Sequence, residues 1–235
     1  MEEILKIAHL KKLYGKKEVL KEVNLTLFQG ECLALVGVNG GGKSTLLEII
    51  CGVKKANSGE IITSLKMKKN IGYMPQKFSL FQDLTVQENL NYLAVLYHLN
   101  KADVDAVIKK CLLVGRENYL ARNLSGGYKQ LLSLAGAIIF QPKLLILDEP
   151  TSAMDPFFRA NFQKIITEYI QNGGSCILST HYMDEITYCD KVAVLSGGEI
   201  VCCDTIKNVL KNEQVQDVSQ LIINYYNKKG ESYVE

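Results

Sequence analysis

Between the apolar run Cys32–Val36 and a segment from Ser44 to Ile50 with apolar residues at helical intervals lies Gly37-Val38-Asn39-Gly40-Gly41-Gly42-Lys43-Ser44-Thr45. A short apolar strand that passes through a glycine-rich loop into a helix is the start of an α/β core, and no other stretch narrows the fold as far. The loop fits the spacing G-x-x-x-x-G-K-[ST] in the strand-to-helix context that this spacing requires. Its glycines leave backbone N–H groups free to wrap phosphate oxygens, and the following helix adds about half a positive charge at its N-terminus. Gly37, Asn39, Gly40, Gly41, Gly42 and Thr45 are therefore expected to line a phosphate, with Lys43 on the β- and γ-phosphates. Ser44 is the expected hydroxyl ligand of Mg2+, a hard cation that prefers oxygen donors. An ordinary glycine-rich turn has no need of Lys-Ser at the helix start.

A second apolar run, Leu144-Leu145-Ile146-Leu147, ends in Asp148-Glu149. In an open α/β sheet ligands bind at the carboxyl ends of the strands, so both acids are expected to face the nucleotide. Asp148 is expected to hold Mg2+ through its water shell. Glu149 is placed to polarise the water that attacks the γ-phosphate, since phosphoryl transfer depends on positioning and charge stabilisation. Taken alone, a strand ending in two solvated acids would be a competing account; the phosphate loop in the same chain displaces it.

Residues Ile4 to Phe28 hold two alternating apolar pieces around Gly15-Lys16-Lys17, which predicts antiparallel strands. From about Phe78 to Phe140 the strand signal disappears. Thr85 and Glu88 form a capping box ahead of Leu90, Leu93, Ala94 and Tyr97, and Val104, Val107, Ile108 and Cys111 repeat the helical spacing. The α/β pattern resumes with a strand at Leu144–Leu147, a helix from Phe158 to Ile170 and a strand at Cys176–Ser179. Val192–Leu195 and Ile200–Cys203 flank Ser196-Gly197-Gly198-Glu199 as a hairpin, and Val218, Leu221, Ile222 and Tyr225 follow at helix-like spacing.

Leu124-Ser125-Gly126-Gly127 precedes the helix-compatible run Tyr128–Phe140, so Ser125 and the glycine N–H groups form a second helix start suited to an anion. The chain has one phosphate loop. Two readings stay open here: an ordinary helix cap, or a surface that completes the nucleotide site of another subunit in a head-to-tail dimer.

Over nearly the entire chain, in order, these segments resemble the ABC (ATP-binding cassette) ATPase family. Besides the phosphate loop and Asp148-Glu149, Leu124-Ser125-Gly126-Gly127 resembles the family signature, Gln76 after Tyr73-Met74-Pro75 its Q-loop, and Ser152-Ala153-Met154-Asp155 its D-loop. His181 after Ser179-Thr180 resembles the switch histidine, and Tyr14 the aromatic that stacks on adenine, although a strand tyrosine is more often simple packing. The resemblance implies an α/β fold: a P-loop NTPase core with a mixed sheet, an N-terminal antiparallel β-subdomain and an inserted α-helical subdomain. It implies one ABC ATPase domain over 1–235, with core and β-subdomain at 1–77 and 141–210, a helical lobe at 78–140 and a C-terminal helical extension at 211–235. ATP and Mg2+ are the implied cofactors, with Ser125, Gly126, Gly127 and Asp155 contacting nucleotide. Gln76 is expected to bridge Mg2+ and the attacking water to the helical lobe. His181 follows its strand at the same edge as Asp148 and Glu149 and is expected to sense the γ-phosphate. Two positions depart from the pattern: Tyr128 stands where glutamine is common, and Gly136 where arginine is frequent. Gly136 is expected to weaken its helix by roughly 1 kcal/mol against alanine, unless it lets another backbone approach closely.

The balance of 27 Lys+Arg against 25 Asp+Glu leaves a net charge of +2, so no nucleic-acid partner is expected. Met1-Glu2-Glu3 lacks a basic segment followed by an apolar one, and the longest apolar stretch, around Leu131 to Phe140, is too short to span a bilayer. The expectation is a cytoplasmic subunit, peripheral on the cytoplasmic face of the membrane, that hydrolyses ATP for a separate transmembrane permease subunit and pairs with a second ABC ATPase subunit. Thr180-His181-Tyr182-Met183-Asp184-Glu185 and Cys189-Asp190-Lys191-Val192 resemble the drug and lipid exporter branch. The alternatives are a soluble ABC ATPase acting in assembly or on nucleic acid, and a P-loop kinase, which would have no need of Ser125. The seven cysteines show no zinc or disulfide spacing and are expected as reduced thiols, Cys32, Cys51 and Cys176 in apolar runs. Cys202 and Cys203 are adjacent, but neighbouring strand residues point to opposite faces, which makes shared metal coordination awkward.

Overall fold

The computed structural model describes residues 2–65, 70–152, 154–218, 220, 221 and 224. Its strands are β1 (Glu3–Tyr14), β2 (Lys17–Phe28), β3 (Cys32–Val36), β4 (Ser58–Thr63), β5 (Ile71–Met74), β6 (Leu144–Asp148), β7 (Ser175–Ser179), β8 (Lys191–Ser196) and β9 (Glu199–Thr205). The helices are α1 (Lys43–Ile50), α2 (Val86–Tyr97), α3 (Lys101–Lys110), α4 (Gly126–Ile138), α5 (Pro156–Gln171), α6 (Met183–Ile186) and α7 (Ile206–Asn212). The chain forms two compact units, Met1–Ser64 with Cys176–Glu235, and Leu65–Ser175.

In the first unit β1 and β2 form the anticipated antiparallel hairpin, and β4 adds to the other side of β1 to give the order β2-β1-β4. β4 carried no sequence signal because its first three residues, Ser58-Gly59-Glu60, are exposed and give it no apolar stripe. β3 lies between β7 and β8, parallel to both, and β9 returns antiparallel along β8. Every residue of β3 and β7 is buried, which is why both read as continuous apolar runs rather than alternating ones. Strands of both directions make this the mixed sheet that was expected. The short helices α6 and α7 were not anticipated. Val218 and Leu221 are buried, whereas Ile222 and Tyr225, and with them most of the expected extension at 211–235, lie outside the described residues.

The parallel strands gather thiols that are far apart in sequence. Cys32, Cys176 and Cys189 are all buried, and Cys32 Sγ lies 3.3 Å from Cys189 Sγ. All seven cysteines are free, and among the described residues no group of three or more His, Cys, Asp or Glu is arranged to hold a metal.

In the second unit β5 runs parallel to β6, and helices α2 to α5 make up most of the rest. The capping box at α2 is present, with Thr85 Oγ1 accepting from Glu88 N–H at 3.1 Å and the Glu88 carboxylate accepting from Thr85 N–H at 2.8 Å. α3 has a second box, Asn100 with Asp103. Gly136 faces side chains rather than a backbone: a Cβ there would sit 3.0 Å from Leu93 Cδ1 and 3.5 Å from Leu80 Cδ1. The missing side chain leaves room for two leucines, so its helix cost is offset by packing. No described helix is long and apolar enough to cross a membrane.

Candidate functional site

In the first unit the apolar β3 delivers the chain into the glycine loop at full burial, and α1 carries it away. Gly37 has φ 155° and a Cβ there would lie 2.3 Å from Leu195 O, so only glycine fits. Gly42 is the N-cap of α1 with φ 101°, a left-handed conformation that glycine adopts without steric cost. It has no side chain with which to cap the helix, so the first turn of α1, at Lys43, Ser44 and Thr45, presents its N–H groups without a side-chain acceptor at the cap. Lys43 is buried, and its Nζ donates to Gly37 O at 2.8 Å and Val38 O at 3.1 Å, so its ammonium bridges the loop's own carbonyls. Asn39 and Gly40, at the loop tip, are both exposed.

Tyr14 closes β1 with its ring 43% exposed, which argues against the simple packing that a strand tyrosine usually serves. Lys12 Nζ and Lys54 Nζ lie 5.1 and 5.6 Å from its ring centre. Partial burial acts to raise the pKa of its hydroxyl, but hydrogen bonds with Lys54 and Thr45 and the two lysine charges outweigh that and hold it below the ordinary tyrosine value. The contact with Thr45 ties the ring to the first turn of α1. His181 is also exposed, which excludes core packing, and its ring leans on Tyr182 with centres 4.2 Å apart. The turn beneath it is fixed by residues not singled out from sequence. Thr180 Oγ1 donates to the buried Glu185 carboxylate and accepts from Tyr182 N–H at 2.9 Å.

In the second unit, register brings two predicted residues together. Met74 of β5 pairs with Leu147 of β6, so Gln76 and Glu149, each two residues further on, emerge at the same end of a parallel pair. Gln76 Nε2 donates to Glu149 Oε2 at 2.9 Å. Asp148 is buried as the last residue of β6. Glu149 has φ 47°, a left-handed conformation that costs a non-glycine residue of order 1 kcal/mol or more and recurs at functional sites. The sequence held one pointer to it: Pro150 disfavours the right-handed helical region for the residue before it.

Ser125 is the N-cap residue of α4, yet its side chain accepts no hydrogen bond from the first turn. Ser125 and Gly126 are exposed and Gly127 is buried. Asp155 does cap its helix: its Oδ1 accepts from Phe158 N–H at 3.1 Å, with Pro156 at the first helical position. Its neighbour Ala153, part of the expected D-loop, lies outside the described residues. The Ser44 hydroxyl in the first unit and the Asp148 carboxylate in the second are each oxygen donors of the kind Mg2+ prefers.

Residues 20–152 match the ABC transporter family. The chain is 32% identical over 216 residues to the probable multidrug ABC transporter ATP-binding protein YbhF of Escherichia coli (strain K12), covering 87% of this chain and 37% of that protein. It is 30% identical over 238 residues to the linearmycin resistance ATP-binding protein LnrL of Bacillus subtilis (strain 168), covering 96% and 76%. The chain thus spans little more than a third of YbhF and about three quarters of LnrL. Among solved structures it resembles an ATP-binding subunit of an ABC transporter, with TM-score 0.87, 25% identity and coverage of 94% of this chain and 99% of that one. It also resembles a dimeric ATP-binding cassette in a post-hydrolysis state bound to ADP and Pi, with TM-score 0.79, 26% identity and coverage of 86% and 98%. A glycine loop that admits no side chain at Gly37, a buried aspartate followed by a strained glutamate, and a family match that runs across both therefore agree that the chain belongs to the ABC transporter family.

Proposed function

We propose that this chain binds ATP with Mg2+, hydrolyses it, and uses closure and reopening of a head-to-tail dimer to drive export through a separate transmembrane permease subunit at the cytoplasmic face of a membrane. The observation that carries the reading is that, among the described helices of eight or more residues, α1 at Gly42 and α4 at Ser125 begin without a side-chain cap whereas α2, α3 and α5 all begin with one. A helix N-terminus that keeps its donors is suited to phosphate. Gly37, Asn39, Gly40, Gly41, Gly42, Lys43 and Thr45 hold the phosphates, and Tyr14 stacks on the base. Ser125, Gly126 and Gly127, together with Asp155, cover the nucleotide of the second subunit. Ser44 and Asp148 hold Mg2+ with Gln76 beside them; when bound, the ion neutralises charge that develops on the transferring phosphoryl group.

Glu149 accepts the proton of the attacking water, and the Gln76 amide orients its carboxylate through the bond at 2.9 Å. His181 contacts the γ-phosphate and reports its presence to the turn built on Thr180 and Glu185. The lobe at 78–140 transmits the change to the permease. The names of YbhF and LnrL, a probable multidrug protein and a linearmycin resistance protein, support export. The dimeric cassette bound to ADP and Pi supports pairing of two such subunits.

Glu149→Gln is the test. Turnover falls by about 10^2 to 10^4-fold, the span that general-base catalysis contributes, and Mg-ATP drives the variant from monomer to dimer in gel filtration. A variant that stays monomeric with unchanged turnover overturns the reading.

A further inference from the structure

Tyr128 is the third residue of α4, counted from the Ser125 cap, and its side chain is fully engaged. Arg116 Nη2 donates to Tyr128 Oη at 2.9 Å, and the guanidinium carbon lies 3.9 Å from the Tyr128 ring centre, close enough for cation–π attraction. On another side the ring meets Phe158 edge to face, with centres 4.8 Å apart. Phe158 in turn lies hard against Gly127, where a Cβ would come within 2.7 Å of the Phe158 ring. The Phe158 N–H is the one that Asp155 caps.

Arg116 itself is not loose. Its N–H donates to Leu113 O at 3.0 Å and its carbonyl accepts from Tyr119 N–H at 2.9 Å. The same loop accepts the first N–H groups of α2, Val86 to Tyr119 O and Gln87 to Glu117 O, each at 3.0 Å. One connected path therefore runs from the start of α2 through Arg116 and Tyr128 to Gly127 and Phe158, and on to Asp155.

We propose that Arg116 is a positioning residue for the Ser125-Gly126-Gly127 turn, acting through the Tyr128 ring to hold the start of α4 and the Asp155 turn in one arrangement that receives a second subunit's nucleotide. The proposal rests on the reading of that turn as the cover of a partner's ATP. It accounts for tyrosine in place of the glutamine common in the family: a ring serves as a platform for a guanidinium, and its hydroxyl reaches the same cation.

The test uses the full chain with Glu149→Gln as parent, measuring the ATP concentration for half-maximal dimer by light scattering and, separately, the affinity of the single protomer for a fluorescent ATP analogue. Arg116→Ala is expected to raise the dimer midpoint roughly tenfold, the effect of losing a hydrogen bond from a charged donor, with protomer affinity and melting temperature unchanged. Tyr128→Phe keeps the ring and shifts the midpoint less. Arg116→Lys rescues only in part, because an ammonium keeps the charge but not the planar stack. Unchanged midpoints in both Arg116→Ala and Tyr128→Phe overturn the proposal, as does a loss of protomer affinity that matches the midpoint shift, the mark of a merely structural role. A parent that fails to dimerise at all overturns the functional reading itself, and is distinguishable because Arg116 is then still in place.

Discussion

Helices α2 and α4 both begin at a hydroxyl residue, and only one of them uses it. At α2, Thr85 accepts from the third helical residue and Glu88 returns the bond, so the helix start is closed upon itself. At α4, Ser125 stands in the same place, the third residue is Tyr128, and no side-chain cap forms. The two helices differ little in apolar content; what differs is whether the N-terminal donors are spent internally. A capping box stabilises a helix and removes it as an anion site, and leaving it out does the reverse. α1 follows α4, since Gly42 has no side chain to offer.

That contrast can be broken from either side. The largest effect is expected at α1: Lys43→Ala removes the ammonium proposed to hold the phosphates, together with its two bonds to the loop carbonyls, and should weaken protomer affinity for ATP by about a hundredfold. Near-native affinity in a binding titration would remove the loop from the nucleotide site. Next is Ser125→Ala, predicted to raise the ATP concentration needed for dimerisation of the Glu149→Gln protein by about tenfold while leaving the melting temperature where it was. A clear drop in melting temperature would mean that Ser125 is an ordinary cap after all. Thr85→Ala should give the opposite pattern, with stability lower by about 1 kcal/mol, a shift of roughly 3 °C in a chain of this size, and turnover unaltered. An equal loss of turnover would blur the distinction between the two starts.

The smallest effect is in acid. Backbone and side-chain hydrogen bonds from Thr85 hold the Glu88 carboxyl below its ordinary value. A carboxyl depressed in the folded state stabilises it above the unfolded pKa, about 4.3, and that contribution is lost as pH falls through the lower folded value. Glu88→Gln should therefore lower stability slightly at neutral pH and flatten the profile below about pH 4.3, where the difference between the two proteins disappears. An identical acid limb in both proteins, followed by circular dichroism, would contradict the capping box.

Much of the molecule was legible because its signals are local. The bounds of β3, the hairpin of β1 and β2 and the Thr85–Glu88 box each depend on residues within a few positions of one another. The Asn100–Asp103 box is equally local, but asparagine and aspartate are as much at home in turns as at helix caps, so the pair does not by itself mark a helix start. β4 had no buried face to announce it, and β5 is only four residues long. Within the candidate site, residue types at fixed spacing pointed to Lys43, Asp148, Glu149 and Ser125, and Gln76 was named only through the family resemblance; none of these signals carried the bonds among the residues.

The glycine loop, the acids at the end of β6 and the serine at the start of α4 are properties of the sequence alone, since each is set by residue chemistry and neighbours a few positions away; that Ser125 leaves its helix uncapped is a property of the structure. Tertiary structure decided which distant groups meet. Gln76 reaches Glu149 only because parallel strands align their ends in register, 73 residues apart. Cys32 meets Cys189 across 157 residues because β3 runs beside the chain entering β8. Tyr128 meets Arg116 and Phe158, 12 and 30 residues away in the chain, because the fold packs them against the start of α4. Spacing along a chain fixes what a residue can do, and only the fold fixes what it does it to.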